Sequence, residues 1–152
     1  MAKTNILYYI RKGFYDKLIP SGTNTFKTSV LQTVSGTSYY KLYHHLAPQV
    51  IPGTKTDVTL PYVVYDTLPI TQERDSAVKW YRCMMQFVVA GSSQSEAEDV
   101  AGYLTDLLED SEASLSFTGY TTLGIFREPM ISQGFIEGVW NIVVQYSIII
   151  QP

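Results

Sequence analysis

Hydrophobic positions at the start of the chain fall at helical spacing. Leu7, Ile10, Phe14 and Leu18 recur three and four residues apart, which predicts a helix over residues 5–18 with Tyr8, Tyr9 and Tyr15 largely off its apolar stripe. Pro20-Ser21-Gly22 ends it. Phe26, Val30, Leu31 and Val34 repeat the pattern and predict a shorter helix over 24–36, closed by Gly36. Alternation at spacing two then takes over. It predicts strands over 39–45 (YYKLYHH), 60–68 (LPYVVYDTL) and 78–90 (VKWYRCMMQFVVA). Between the first two, Pro48, Pro52 and Gly53 mark a loop over 47–57, and Pro61 suits the first residues of the second strand. The polar stretch 69–77 reads as the long tip of an antiparallel hairpin.

The strongest helical signal is residues 93–110. Ala97, Val100, Ala101, Leu104, Leu107 and Leu108 form one stripe, with Ser93 or Ser95 to cap the start and Glu96, Glu98 and Asp99 in the first turn. Two more strands follow, over 115–127 and 139–150. In the last, Trp140, Ile142, Val144, Tyr146, Ile148 and Ile150 are expected to face the core, and Asn141, Gln145 and their odd-numbered neighbours a half-polar second face. The order is helix, short helix, three strands, helix, two strands. It predicts an α+β fold: a mostly antiparallel sheet with helices packed on one face, in a single domain spanning 1–152 with a helical segment over 1–37 and the sheet plus main helix over 38–152.

The segment AGSSQSEAED raises the question of a phosphate site, because a strand, small residues and a helix follow one another there. A phosphate loop needs free backbone N–H groups and, as a rule, a Lys. Here the first turn carries three carboxylates and no cation, so it reads as a capped junction of the fold.

Composition narrows the classes further. Of 152 residues, 45% are hydrophobic and only 16% charged, while Tyr occurs 12 times. Few charges and many tyrosines fit a surface that meets other protein, or strands rich in Tyr. The net charge of −3 argues against a general nucleic-acid-binding surface, and the Lys3, Arg11, Lys12, Lys17 group reads as a solvated helix face. Cys83 stands alone, which allows neither an internal disulfide nor a thiolate zinc cage, and it reads as a small core residue. ILYYI is too short for a signal-peptide core, and no apolar run is long enough for a membrane span, so a soluble protein made in a reducing cytoplasm is expected.

No catalytic constellation emerges. His44 and His45 are adjacent, and on a strand adjacent side chains point to opposite faces, so a shared metal is not expected. No GxSxG elbow is present, and the spacing of Asp66, Glu73, Asp75 and Glu128 pairs none of them. No catalytic, cofactor-binding or metal-binding residue is assigned, and no cofactor is expected.

The whole pattern does resemble one family. LYHHLAPQ, a Pro/Gly loop, LPYVVYDTL, a charged hairpin tip, YRCMMQFVVAGSSQSEAEDVAGYLTDLL and a closing strand are similar to the tail-terminator or tail-completion proteins of long-tailed bacteriophages. Pro61-Tyr62-Val63-Val64-Tyr65, Tyr81-Arg82, Gln86-Phe87 and Ala97-Glu98-Asp99-Val100-Ala101 carry the resemblance, which covers residues 38–150. It implies a virion protein without enzymatic activity. Such proteins form a ring, typically a hexamer, that caps the tail tube protein, stops its polymerisation and meets the head connector or adaptor, while DNA passes through without specific binding. The implied location is the tail or neck of a virion, and the host cytoplasm during assembly. A tail tube protein or a head-completion adaptor is the alternative, and a small enzyme or ligand-binding domain a more distant one.

The expected contact elements are the tip 69–77, the loop 47–57 and the tyrosines of the first helix. The candidate interface residues are Gln72, Glu73, Arg74, Asp75, Tyr8, Tyr9 and Lys55.

Overall fold

The computed structural model describes residues 6–68, 71–75, 78–109, 114–128 and 132–152; the side chains of residues 71, 73–75 and 132 lie outside the described set. Helix α1 (Ile6–Leu18) buries Ile10, Phe14 and Leu18, the stripe its spacing predicts. Its end is tied to the next element by Asn24. That side chain accepts from the Lys27 N–H at 2.7 Å, capping α2 (Thr25–Ser29), and donates to the Leu18 carbonyl at 3.1 Å. The buried Lys27 ammonium closes the turn between the helices by donating to the Pro20 and Gly22 carbonyls at 2.6 and 2.8 Å.

The helix predicted over 24–36 is therefore only half right. Its second half is a hairpin, β1 (Leu31–Val34) paired with β2 (Thr37–Tyr40). The turn is Ser35-Gly36, both at positive φ (50° and 80°), as a two-residue hairpin turn requires. Gly36 closes a hairpin rather than a helix. The strand predicted over 39–45 is likewise split, at Lys41. Its N–H donates to Val30 and its carbonyl accepts from Val63, so the chain leaves the small hairpin and enters the main sheet at this residue. The Lys41 side chain is buried and donates to the Thr59 carbonyl at 2.8 Å.

The main sheet is built on two long central strands, β6 (Val78–Gly91) and β9 (Val139–Gln151), antiparallel from Tyr81↔Ile150 to Gly91↔Trp140. On the outer side of β6, β4 (Tyr62–Thr67) and β5 (Thr71–Asp75) pair end to end. On the outer side of β9, β7 (Thr121–Arg127) and β8 (Ser132–Ile136) do the same. A short β3 (Leu42–His44) runs parallel to β4; the other pairings are antiparallel. This is an α+β fold with a mostly antiparallel sheet and helices packed against it.

Two further strands, both in the main sheet, were not anticipated. β5 lies in the predicted tip, where TQERD carries no apolar alternation and is held by backbone pairing to the start of β6. β8 is set by a second two-residue turn, Glu137-Gly138 at φ 51° and 81°. The strand predicted from 115 begins only at Thr121. Before it, a turn through Gly119 (φ 81°) drops Leu115 and Phe117 into the core.

Helix α3 (Gln94–Leu108) carries the predicted stripe: Ala97, Val100, Ala101, Leu104 and Leu108 are buried, and Leu107 is half-buried. It packs against β6 and β9. Its start is closed as a capping arrangement: Ser93 Oγ accepts from the Glu96 N–H at 3.1 Å, and the Glu96 carboxylate accepts from the Ser92 N–H and hydroxyl at 2.6 and 2.7 Å. The protein's own acid takes the donors that a phosphate would need. Among the described residues no helix is long and apolar enough to cross a membrane.

The core lies between the helices and one sheet face. Phe14 and Phe87 meet edge to face at 5.8 Å, Phe117 lies 5.8 Å from Phe14, and Tyr146 sits 6.4 Å from Phe87. Ile142, Val144, Tyr146, Ile148 and Ile150 face this core as expected, with Trp140 half-buried at its rim. Gln145 lies on the other face yet is only 8% exposed, and it donates to Gln86 across the strand pair at 2.7 Å.

Candidate assembly surface

The residues expected at an interface sit on three elements. On α1, Tyr8 is half-exposed and meets Tyr9 edge on, with ring centroids 5.5 Å apart. Nearby, Tyr81 and Tyr120 form a second edge pair at 6.2 Å; burial, then Tyr81, then Tyr9 push the Tyr120 hydroxyl above its ordinary pKa. Gln72 is exposed on β5, in register with Tyr81. The fold thus brings Tyr9 and Gln72 toward one tyrosine-rich end of the sheet. Glu73, Arg74 and Asp75 pair through their backbones with Trp80, Lys79 and Val78, and their side chains lie outside the described residues. Lys55 is exposed on the loop between Val50 and Asp57, which a bridge closes and Gln32 ties to the β1–β2 hairpin.

Sequence reasoning missed the outer row. Leu123, Phe126, Phe135 and Ile136 of β7 and β8 are each more than half exposed, at 53%, 54%, 59% and 64%. Among the described residues, no strand pairs with the outer side of this row. By register, Phe126 opposite Ser147 and Ile136 opposite Val139 lie on the open face of the sheet, and Phe135 opposite Trp140 lies on the helix side, so the exposed apolar side chains flank both faces of this edge. QGFIEG has no apolar alternation to signal a strand, and which strand ends the sheet is a property of topology, not of local pattern.

Between α3 and this outer row lies a groove of about 510 Å³ with Ala101, Ile142 and Val144 among its apolar lining. Its polar rim is engaged within the fold. Glu98 accepts from Gln94 and Gln133 at 2.9 and 3.0 Å, hydrogen bonds that hold its carboxyl below the usual range. Arg127 pairs with Glu109 at 3.0 Å, and Glu128 accepts from the Ser147 hydroxyl at 2.6 Å.

One expectation is overturned outright. His44 and His45 do not point apart. β3 ends at His44, and His45 takes a left-handed backbone (φ 67°), so the two rings stack 3.8 Å apart. The alternation argument holds only while the strand continues. Asp66 meets both: Oδ2 lies 2.8 Å from His45 Nδ1 and Oδ1 lies 3.5 Å from His44 Nε2. Arg11 is also not on a free solvated face. Its guanidinium, which can only donate, reaches His44 Nε2 at 2.9 Å. Burial first, then Arg11 and His45, hold His44 below its ordinary pKa against the pull of Asp66.

No family model matches this chain and no curated protein matches its sequence. Among solved structures it is similar to a chain from the virion of a native gene transfer agent (GTA) particle, with a TM-score of 0.72 at 13% identity, over 99% of this chain and 100% of that one. A likeness at that identity is a likeness of fold.

Proposed function

We propose that this chain is a structural virion protein, and within that class a tail terminator: a subunit of a ring, typically of six, that caps the tail tube and joins it to the head connector. The observation that carries this is the end-to-end likeness to a chain of a gene transfer agent virion. The match spans both chains whole, so it concerns the complete arrangement rather than a common supersecondary piece. The resemblance of residues 38–150 to tail terminators supplies the finer assignment.

The surface agrees with a ring. A subunit of a cyclic assembly needs two different, complementary patches, because a head-to-tail contact repeats by rotation until it closes. This sheet offers two unlike patches: the exposed apolar side chains of β7 and β8, with Phe126 and Ile136 on the open face, and the tyrosine cluster with Tyr9, Tyr81 and Tyr120. A net acidic chain suits a channel through which DNA passes without being gripped. We read the chain as a single domain without enzymatic activity, whose work is done by surfaces; a buried cluster that joins helices and sheet among the described residues supports the first part.

Native mass over a range of concentrations, with and without tail tubes and paired with negative-stain imaging, tests the proposal. Closed rings of fixed size, free or at tube ends, are expected. Long tubes of this protein alone would make it a tube protein, and a monomer that ignores tail tubes would overturn the assignment. Glu73→Lys is expected to weaken ring formation with a change in stability of no more than about 0.5 kcal/mol, as for surface positions, and Phe135→Ser to weaken it at a stability cost of about 0.5–1.5 kcal/mol, because Phe135 packs on Trp140 at 5.2 Å.

A further inference from the structure

We propose that His44, His45 and Asp66 form a mononuclear binding site for a divalent transition metal, with Zn²⁺ as the fitting ion. The ligand atoms the three residues offer all lie within 4.8 Å of one another. Around zinc, bonds of about 2.0–2.2 Å at tetrahedral angles place neighbouring ligand atoms roughly 3.3–3.5 Å apart. His44 Nε2 and Asp66 Oδ1 already stand at 3.5 Å, and His45 Nδ1 and Asp66 Oδ2 at 2.8 Å. The remaining adjustment falls on side chains that are 29%, 65% and 37% exposed for His44, His45 and Asp66, so it needs no change in the core.

The chain holds these groups from behind. The His45 N–H donates to the Tyr65 carbonyl at 3.2 Å, which continues the β3–β4 pairing one residue past the strand and fixes the left-handed residue beside Asp66. Asp66 Oδ1 also accepts from the Thr67 N–H at 2.8 Å, which orients the carboxylate. Such outer contacts set ligand direction in metal sites. Two imidazoles and one carboxylate suit zinc, copper or nickel better than magnesium or calcium, which prefer oxygen alone. The exposure of His45 leaves a fourth position to water or to a side chain from a neighbouring molecule.

Arg11 marks how the site is held without an ion. Because the guanidinium can only donate, it engages the His44 Nε2 lone pair, with the ring proton on Nδ1. A metal takes the same lone pair, so Arg11 and the ion compete. Loading the site releases the contact between α1 and β3. The three ligands belong to one chain, so the site stands independently of any ring.

Titration of tag-free, metal-stripped full-length protein with Zn²⁺ by calorimetry, and with Co²⁺ by absorbance, tests this. One ion per chain is expected, with Co²⁺ bands of tetrahedral strength. His45→Ala and Asp66→Asn are expected to weaken binding by at least about tenfold, since even outer-shell changes cost roughly 10–100-fold. Arg11→Gln is expected to bind more tightly than the parent. His45→Ala gives up the Asp66 contact at a left-handed position, so circular dichroism verifies that the variant is folded before titration. Absence of Zn²⁺ binding by the parent, or binding unchanged in both His45→Ala and Asp66→Asn, would reduce the cluster to a hydrogen-bonded corner and overturn the proposal.

Discussion

The two faces of the β6–β9 pair are built from alternate residues of the same strands, yet they are different materials. On the helix side, Cys83, Met85 and Phe87 oppose Ile148, Tyr146 and Val144, all nearly fully buried. On the other side, Met84, Val88, Val143 and Ile149 are half-exposed around a central Gln86–Gln145 pair. Apolar alternation alone does not make a core. The helix-covered face holds the fold together, while the open face places a satisfied polar pair at its centre and tolerates water at its edges.

The sharpest way to break the comparison is to cut into the covered face. Phe87→Ala is expected to destabilise by about 3–5 kcal/mol, and Leu104→Ala or Ile142→Ala by about 2–5 kcal/mol, since each loses transfer energy and leaves a cavity. Denaturant unfolding measures this, and losses below about 1 kcal/mol would deny that these positions are close-packed. Gly13→Ala comes next. Alanine favours a helix by about 1 kcal/mol over glycine, but a Cβ at Gly13 would stand 2.5 Å from the Phe117 ring and 2.6 Å from the Ser116 carbonyl oxygen. Overpacking costs about 1–3 kcal/mol, so a net loss of stability is expected, and a gain would show that the 114–120 turn shifts freely.

On the open face the expected effect is smaller. The sequence assigns Gln145→Ala almost no cost, but the structure raises it to about 0.5–1.5 kcal/mol, the worth of a typical hydrogen bond. It stays modest because half-exposed Gln86 can turn to water. The smallest effect in free energy sharpens the comparison chemically. Burial pushes the Cys83 thiol up to about 12. Only the thiolate reacts, so at pH 8 a thiol reagent should label native protein far more slowly than unfolded protein. Rapid labelling in the native state would place Cys83 on an accessible face.

How much of this was visible in the residues follows from where the information resides. α3, β4, β6 and β9 were legible because each is long enough for its period to stand out against its neighbours. The stop of α1 at Pro20-Ser21-Gly22 was legible for the same local reason. The hairpin at Ser35-Gly36 was not, since Val30, Leu31 and Val34 fit a helical stripe as well as two strand faces over so short a run. β5 was hidden because none of its residues is apolar. Of the interface candidates, Gln72 is set opposite Tyr81 by the β5–β6 register, which no local pattern encodes. The apolar outer row went unseen because exposure is assigned by which strand lies last.

The sequence by itself determined the α+β class, the covered face of the long strands and the capped start of α3, because periodicity, volume and capping act within a few residues. The tertiary structure decided the split outer rows, the exposure of the apolar side chains of β7 and β8, and the meeting of His44, His45, Asp66 and Arg11. Those depend on pairings between distant segments and on one left-handed residue, His45, at the end of a strand. Alternation along β3 sends the two imidazoles apart; the end of the strand turns them onto the same carboxylate.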